Sequence, residues 1–297
     1  MPLSCRDSGR QHTIYTLTDP FTDYFVEAGV MNTHTSVQSP HTLLPWTRAW
    51  VTGAGRGIGA AIAAELCHGG VDVYASARSD EALVRLASDF GQSRGSITPT
   101  PLDICDDGQI RVLTESWQQT DSWPDLVILN AGTHDPFPAS ELTAQRSIQL
   151  LNTNLNGTLN CLEPVLKHFI VQDRGQIAIM ASVAGYRGLP TAAAYGASKA
   201  ALINLCEALR LDLAGSNVKL QVICPGFVRT PLTDKNTFSM PALMEPEDAA
   251  EEIIRGLQRE CFEITFPKRF VYWLKLLRIL PYSWYFKLVE KATRTGK

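Results

Sequence analysis

Apolar positions along the chain fall into short runs, and the runs alternate between two spacings. The first, Arg48-Ala-Trp-Val-Thr52, leads directly into Gly53-Ala-Gly-Arg-Gly-Ile-Gly59. Ala60-Ala-Ile-Ala-Ala-Glu-Leu66 then takes up helical spacing, so the stretch reads as strand, turn and helix. Val71-Asp-Val-Tyr-Ala-Ser-Ala77 has the β-branched pattern of a strand buried on both faces of a parallel sheet. Leu83, Leu86, Ala87 and Phe90 recur at helical intervals. Ile97 to Ile104 reads as a third strand ending in an acid, with a helix starting near Asp106. A fourth, Asp125-Leu-Val-Ile-Leu-Asn130, closes on Asn130-Ala131-Gly132, and its carboxyl end is expected beside the first strand. Ile148 to Thr158 lies in a long helical stretch, and Gly175 to Ser182 reads as the fifth strand. This alternation predicts an α/β fold with a doubly wound parallel sheet, one domain spanning residues 47–266.

The two ends depart from that rhythm. Residues 1–46 are rich in Thr, Ser, His and Pro without a lasting period. They read as a mobile extension or as a start site placed too early, with Met31 the later start; a docked segment over Ile14 to Val30 is the alternative. His12, His34 and His41 are too loosely spaced for metal ligands and are expected to be solvated. Residues 267–297 return to helical spacing, with Phe270, Trp273, Leu274 and Leu277 on one expected face and Lys268, Lys275 and Arg278 towards the other. Pro281 should break or kink this helix. A basic amphipathic helix with aromatic residues suits a membrane interface. It equally suits covering its own cleft or a partner subunit, and packing against protein is the favoured reading.

Composition narrows the partners. An apolar share of 45% with 19% charged residues fits a globular protein with a substantial core, and a net charge of −3 argues against nucleic acid. The seven cysteines are scattered and form no Cys-x-x-Cys pair, so reduced thiols in the cytoplasm are expected, with no metal site. Neither a secretory signal nor an apolar run long enough to span a bilayer is visible.

Candidate chemistry begins at the glycine turn. Gly53, Gly57 and Gly59 let the backbone bend and approach a ligand closely, and the helix that opens behind them aims its N–H groups at the same place. A pyrophosphate suits that position, so the turn, with Arg56 and Ile58, is expected to hold a dinucleotide. The spacing Gly53-x3-Gly57-x-Gly59 differs from the common dinucleotide fingerprint. An NAD site usually has an acid after the second strand; here Arg78 stands there, and Asp72 is at the wrong end. Arg78 with Arg56 favours the 2′-phosphate of NADP(H), with NAD as the alternative, unless Asp80 and Glu81 neutralise Arg78. Asp103 suits an adenine amino group or a helix cap. Asn130 is expected to tie neighbouring strands through its amide, and Gly132 to let the chain pass close to the cofactor. Asn152, Asn154 and Asn156 are weak helix formers crowded into one helix; polar packing is the plain reading. Tyr195 and Lys199 share a helix face at i and i+4, where an ammonium lowers the pKa of a phenol and makes it a general acid or base. Ser182, at the end of its strand, is placed to hold a substrate carbonyl oxygen.

Assembled in this order, the motifs resemble those of the short-chain dehydrogenase/reductase family from about Arg48 to Phe266. They are Thr52 to Gly59, Asn130-Ala131-Gly132, Ser182, Tyr195 with Lys199, and Cys224-Pro225-Gly226-Phe-Val-Arg-Thr230. The resemblance implies a Rossmann-like domain with Tyr195 as proton donor or acceptor, Lys199 binding the nicotinamide ribose, and Ser182 orienting substrate. It places Asn154 on a relay water, Asp103 and Ile104 beside adenine, and Pro225, Gly226, Val228 and Thr230 along the nicotinamide. It makes Pro231 to Glu245 a lid, whose Phe238, Met240, Leu243 and Met244 suggest an apolar substrate. It implies a homo-oligomer through the helices bearing Asn154 and Tyr195, unless the C-terminal segment blocks one interface. The expected activity is NADP(H)-dependent hydride transfer to or from a carbonyl or secondary alcohol. The alternatives are an acyl-chain (3-oxoacyl-type) reductase and a non-catalytic dinucleotide sensor. The expected location is cytoplasmic, with membrane association through the tail as a variant of it.

Overall fold

The computed structural model describes residues 43–236 and 240–294, with side chains through Lys291. The chain divides into Met1–Pro40, outside the described residues, and His41–Lys297, which carries the fold. The expectations for residues 1–42, including Met31 and the three histidines, and for Phe238 fall outside the described residues.

The first half builds β1 (Arg48–Thr52), α1 (Gly57–His68), β2 (Asp72–Ser76), α2 (Asp80–Asp89), β3 (Ile97–Pro99), α3 (Asp107–Thr120) and β4 (Leu126–Leu129). The second builds α4 (Ala144–Leu151), α5 (Gly157–Gln172), β5 (Gly175–Met180), α6 (Ala193–Asp212), β6 (Val218–Pro225), α7 (Pro246–Leu257), β7 (Glu263–Phe266), α8 (Lys268–Ile279) and α9 (Tyr282–Arg294). All seven strands are parallel, in the order β3-β2-β1-β4-β5-β6-β7. The order reverses between β1 and β4, so the loops leaving those two strands diverge and open a crevice at their carboxyl ends.

Strand alternation feeds two cores, one on each face of the sheet. Trp50 points to the side of α3, α5 and α6, where it meets Trp117 edge-on at 5.1 Å and donates from Nε1 to Ser76 Oγ at 2.9 Å. Val51, its neighbour, points to the opposite side and packs with Ile62 and Leu66 of α1 and Ile253 and Leu257 of α7. Both faces are therefore covered, which is why the central strands read as unbroken apolar runs.

Three expectations change. The third strand stops at Pro99 rather than Ile104, because Pro99 and Pro101 have no N–H for a ladder; Thr100 and Leu102 still donate to Ala75 O and Ala77 O. Asp103 is not the cap of α3. Asp106 accepts from Gln109 N at 3.1 Å in that role, while Asp103 Oδ1 accepts from Cys105 N at 2.9 Å and shapes the preceding turn. In the tail, Pro281 does separate two helices, but Trp273 does not share the inner face of α8. That face carries Phe270, Val271 and Leu274, whereas Trp273 is exposed and Lys275 pairs with Glu263.

Candidate active site

The glycine turn is fixed by what surrounds it. Gly53 has φ 69°, and a Cβ there would lie 2.7 Å from Ala131 Cα. A Cβ on Gly59 would lie 2.2 Å from Gly53 O, so no other residue closes this turn. Asn130 Nδ2 donates to Thr52 O and Gly53 O at 3.0 and 3.3 Å. Thr52 Oγ1 accepts from the N–H groups of Asn130 and Ala131 at 3.0 and 3.1 Å, which welds the ends of β1 and β4 together. Gly57 faces Thr230, whose Cγ2 is 3.0 Å from the position a Cβ would take, so the segment after β6 closes the third side.

Helix α1 begins here without a side-chain cap and without an acid in its first turn, whereas Ser79, Asp106 and Thr143 cap α2, α3 and α4. Its first N–H groups stay available to an anion, and Arg56 and Arg78 stand exposed at the same end of the sheet. Asp80 and Glu81 form no ion pair with Arg78 among the described residues; they occupy the first turn of α2, where carboxylates suit the helix dipole. A dinucleotide phosphate thus fits the donor set. Ile104 is buried in the core against Gly157 of α5, with its carbonyl accepting from Asn160 Nδ2 at 3.1 Å.

On the other side of the crevice the helix formed by α4 and α5 widens into a π-helical turn over Asn152–Asn156, which accounts for the crowded asparagines. Asn154 is fully buried there. Its Oδ1 accepts from Thr133 N at 2.7 Å, and its Nδ2 donates to Thr133 O at 2.9 Å and Ser198 Oγ at 3.1 Å. Both side-chain amide protons are engaged, so Asn154 holds the loop after β4 against α6. Lys199, also buried, donates to Met180 O at 2.7 Å, and its Nζ is 5.8 Å from the centre of the Tyr195 ring. Gly132 permits this crowding: a Cβ would meet Asn154 Oδ1 at 3.3 Å and Lys199 Nζ at 3.6 Å. Ser182 follows β5, accepts from Ala184 N at 3.1 Å, and stands near enough to the Tyr195 phenol to pull its pKa downward.

The expected lowering of the Tyr195 pKa is not what the pocket does. Burial dominates and pushes the phenol up, with Ser182 opposing it. The same burial pulls Lys199 down to about 8. Both groups are moved towards neutrality because a dry pocket penalises either charge.

Sequence reasoning passed over His134. It sits four residues beyond Asn130, at the strand end where the crevice opens, and that position was its visible signal. Its ring lies 4.5 Å from the Tyr195 ring, Nε2 meets Asn236 Oδ1 at 3.2 Å, and Lys235 Nζ donates to its carbonyl at 2.8 Å. Burial lowers its pKa, so the imidazole is neutral and forms an uncharged wall beside the phenol. In the expected lid, Val228 pairs with Met244, so this end of the segment is anchored. Among the described residues no group of His, Cys, Asp or Glu is arranged to hold a metal.

Comparison with known proteins agrees with this architecture. Residues 47–240 match the family described as short chain dehydrogenase. An uncharacterized oxidoreductase of Myxococcus xanthus is 34% identical over 238 residues, covering 80% of this chain and 94% of the relative. Among solved structures, a short-chain dehydrogenase from Sphingobium yanoikuyae in complex with NADPH superposes with a TM-score of 0.70 at 23% identity, covering 77% of this chain and 91% of the other. A 3-ketoacyl-ACP reductase from Sinorhizobium meliloti gives 0.66 at 26% identity, covering 74% and 96%. The chain belongs to the short-chain dehydrogenase family of oxidoreductases.

Proposed function

We propose that the protein is an NADP(H)-dependent reductase of apolar carbonyl compounds, able to run in reverse on secondary alcohols. The observation that carries this reading is the Tyr195 ring set between the His134 ring at 4.5 Å and buried Lys199, whose Nζ is 5.8 Å from its centre, with Ser182 at the end of β5. A phenol whose pKa is pushed up keeps its proton at neutral pH, so Tyr195 is set to donate it to a carbonyl oxygen that Ser182 orients. Lys199 lies beside Asn154 and Gly132, where it would meet the nicotinamide ribose. Bound nicotinamide supplies or takes the hydride. Arg78 and Arg56 would take the 2′-phosphate, the glycine turn and α1 the pyrophosphate, and Pro225, Gly226, Val228 and Thr230 would flank the nicotinamide. His134 and the Met240 end of the lid line the substrate side.

NADPH oxidation against a panel of ketones tests the activity. Tyr195→Phe should lower turnover by roughly 10²–10⁴-fold while leaving NADPH binding intact, as expected for a lost proton donor. Full activity in that variant, or bound NADPH with no turnover of any ketone, overturns the assignment, the latter in favour of a dinucleotide sensor. A 3-oxoacyl thioester in the panel separates the second reading, supported by the 26% identity to a 3-ketoacyl-ACP reductase.

The proposal includes a cytoplasmic homo-oligomer. Leu159, Ile170 and Val171 of α5 and Leu211 of α6 are exposed, an apolar surface that a second subunit would cover. Sedimentation velocity tests it. The tail adds a peripheral contact with a membrane.

A further inference from the structure

We infer that α8 and α9 seat the protein on an anionic lipid surface, lying in the interface plane. The inference goes beyond the proposed activity and does not depend on turnover. On α8, Tyr272, Trp273, Leu276 and Ile279 recur at intervals of three and four and are all exposed, Trp273 to 68%. Phe270, Val271 and Leu274 occupy the inner side of the same helix. A helix apolar on both sides and wet on one has a partner still to meet. On α9, Tyr285 turns inward, while Trp284 and Leu288 lie on one flank and Tyr282 and Phe286, stacked at 5.8 Å, on the other.

These helices are already in place. Arg187, five residues beyond Ser182, stacks on Tyr282 and Tyr285 at 4.8 and 4.1 Å and donates to Leu277 O at 2.6 Å and Leu280 O at 2.8 Å, which fixes the corner at Pro281. Tyr186 donates to Glu263 Oε1, which shares its carboxylate with Lys275. The surface therefore needs no ordering when it binds.

Charge decides the occupant. Residues 267–297 hold eight Lys and Arg and one acid, Glu290, a net of +7 in a chain of net −3, so the other residues carry −10. Lys268, Arg269, Arg278 and Lys287 are exposed around the aromatic positions. A symmetric dimer through this surface would set these exposed cations against their own copies, because a two-fold interface pairs a patch with itself. An anionic bilayer answers both features, with Trp and Tyr at the headgroup level and cations at the phosphates. None of the described helices is long and apolar enough to cross a membrane, so α8 and α9 lie in the interface. The crevice is brought with them: Phe270 packs on Phe227 at 5.5 Å, and Pro267 and Phe270 crowd Gly226. On the proposed activity, an apolar carbonyl compound would reach the site from the lipid phase.

The test uses the full chain with vesicles of phosphatidylcholine alone and of phosphatidylcholine with phosphatidylglycerol, read by flotation and by tryptophan emission. Binding to the anionic vesicles, a blue shift, and release by salt are expected. Trp273→Ser with Trp284→Ser should abolish it. Lys268→Glu with Arg269→Glu should weaken it at least tenfold, since each basic residue near such a surface is worth roughly fivefold. Acids at a helix N-terminus favour the helix, so that second pair separates lost binding from lost folding. No partition at low salt overturns the inference. So does binding that both double variants retain, which would assign it to another part of the chain, and so does self-association that the tryptophan pair dissolves without any vesicle binding. Failure of the ketone assay alongside vesicle binding would overturn the proposed activity and leave this surface standing.

Discussion

Replacing Lys199 with methionine removes a buried cation and keeps a side chain of similar length. Lys199 is 3% exposed, and its ammonium donates to Met180 O at 2.7 Å. Burial lowers its pKa from 10.5 to about 8, against a weaker upward pull from Cys224. Below about 8 the lysine is protonated in folded and unfolded chains alike, and the folded protein bears the full cost of the buried charge. Between about 8 and 10.5 the unfolded chain still holds the proton and the folded protein has released it, so stability rises with pH through that window. From about pH 7 to about pH 10 the wild-type protein should gain about 2–3 kcal/mol that the variant lacks. Urea unfolding of the full chain at the two pH values, taken as wild type minus variant, isolates this group from the other titrating residues. A difference that stays flat, or that falls as pH rises, would refute the placement of a protonatable amine in a dry pocket.

Other changes read other contacts. Asn154→Leu keeps the volume but strands Thr133 N–H and Thr133 O and leaves Ser198 Oγ with only its bond to Tyr195 O; a loss of about 2–4 kcal/mol is expected, visible as a clear drop in melting temperature. Arg78→Ala should raise the dissociation constant for NADPH roughly tenfold or more and leave NADH unchanged; titration of both cofactors checks it, and equal loss would move the 2′-phosphate elsewhere. Arg187→Ala removes the clamp on the α8–α9 corner, so limited proteolysis should cut near Pro281 faster while the melting of the sheet changes little. Unchanged cleavage would show that Tyr285 and the inner face of α8 hold the tail unaided.

Several parts of the site were legible because their signals are local. The strand–turn–helix of residues 48–68, the apolar runs at β4 and β5, and the Tyr195–Lys199 spacing depend only on near neighbours and helical period. Where reasoning from the sequence went astray, the deciding atoms came from far along the chain. His134 acquires its place from Tyr195 and Asn236, the latter 102 residues away. Trp273 was grouped with Phe270 and Leu274 because spacing gives the stripe but not its edges; Phe227 and the core meet Phe270 and Leu274, and Trp273 falls outside their reach.

By itself the sequence determined the order of strands and helices, the glycine turn, and which residue types stand four apart on α6, because short-range sterics and periodicity govern these. Tertiary structure alone decided that the Tyr195 phenol is raised rather than lowered, that both amide protons of Asn154 are engaged, and that the outer side of α8 is left uncovered. The reason is dielectric and geometric: what a charge or an apolar face costs depends on the atoms folding brings around it, and those come from distant segments.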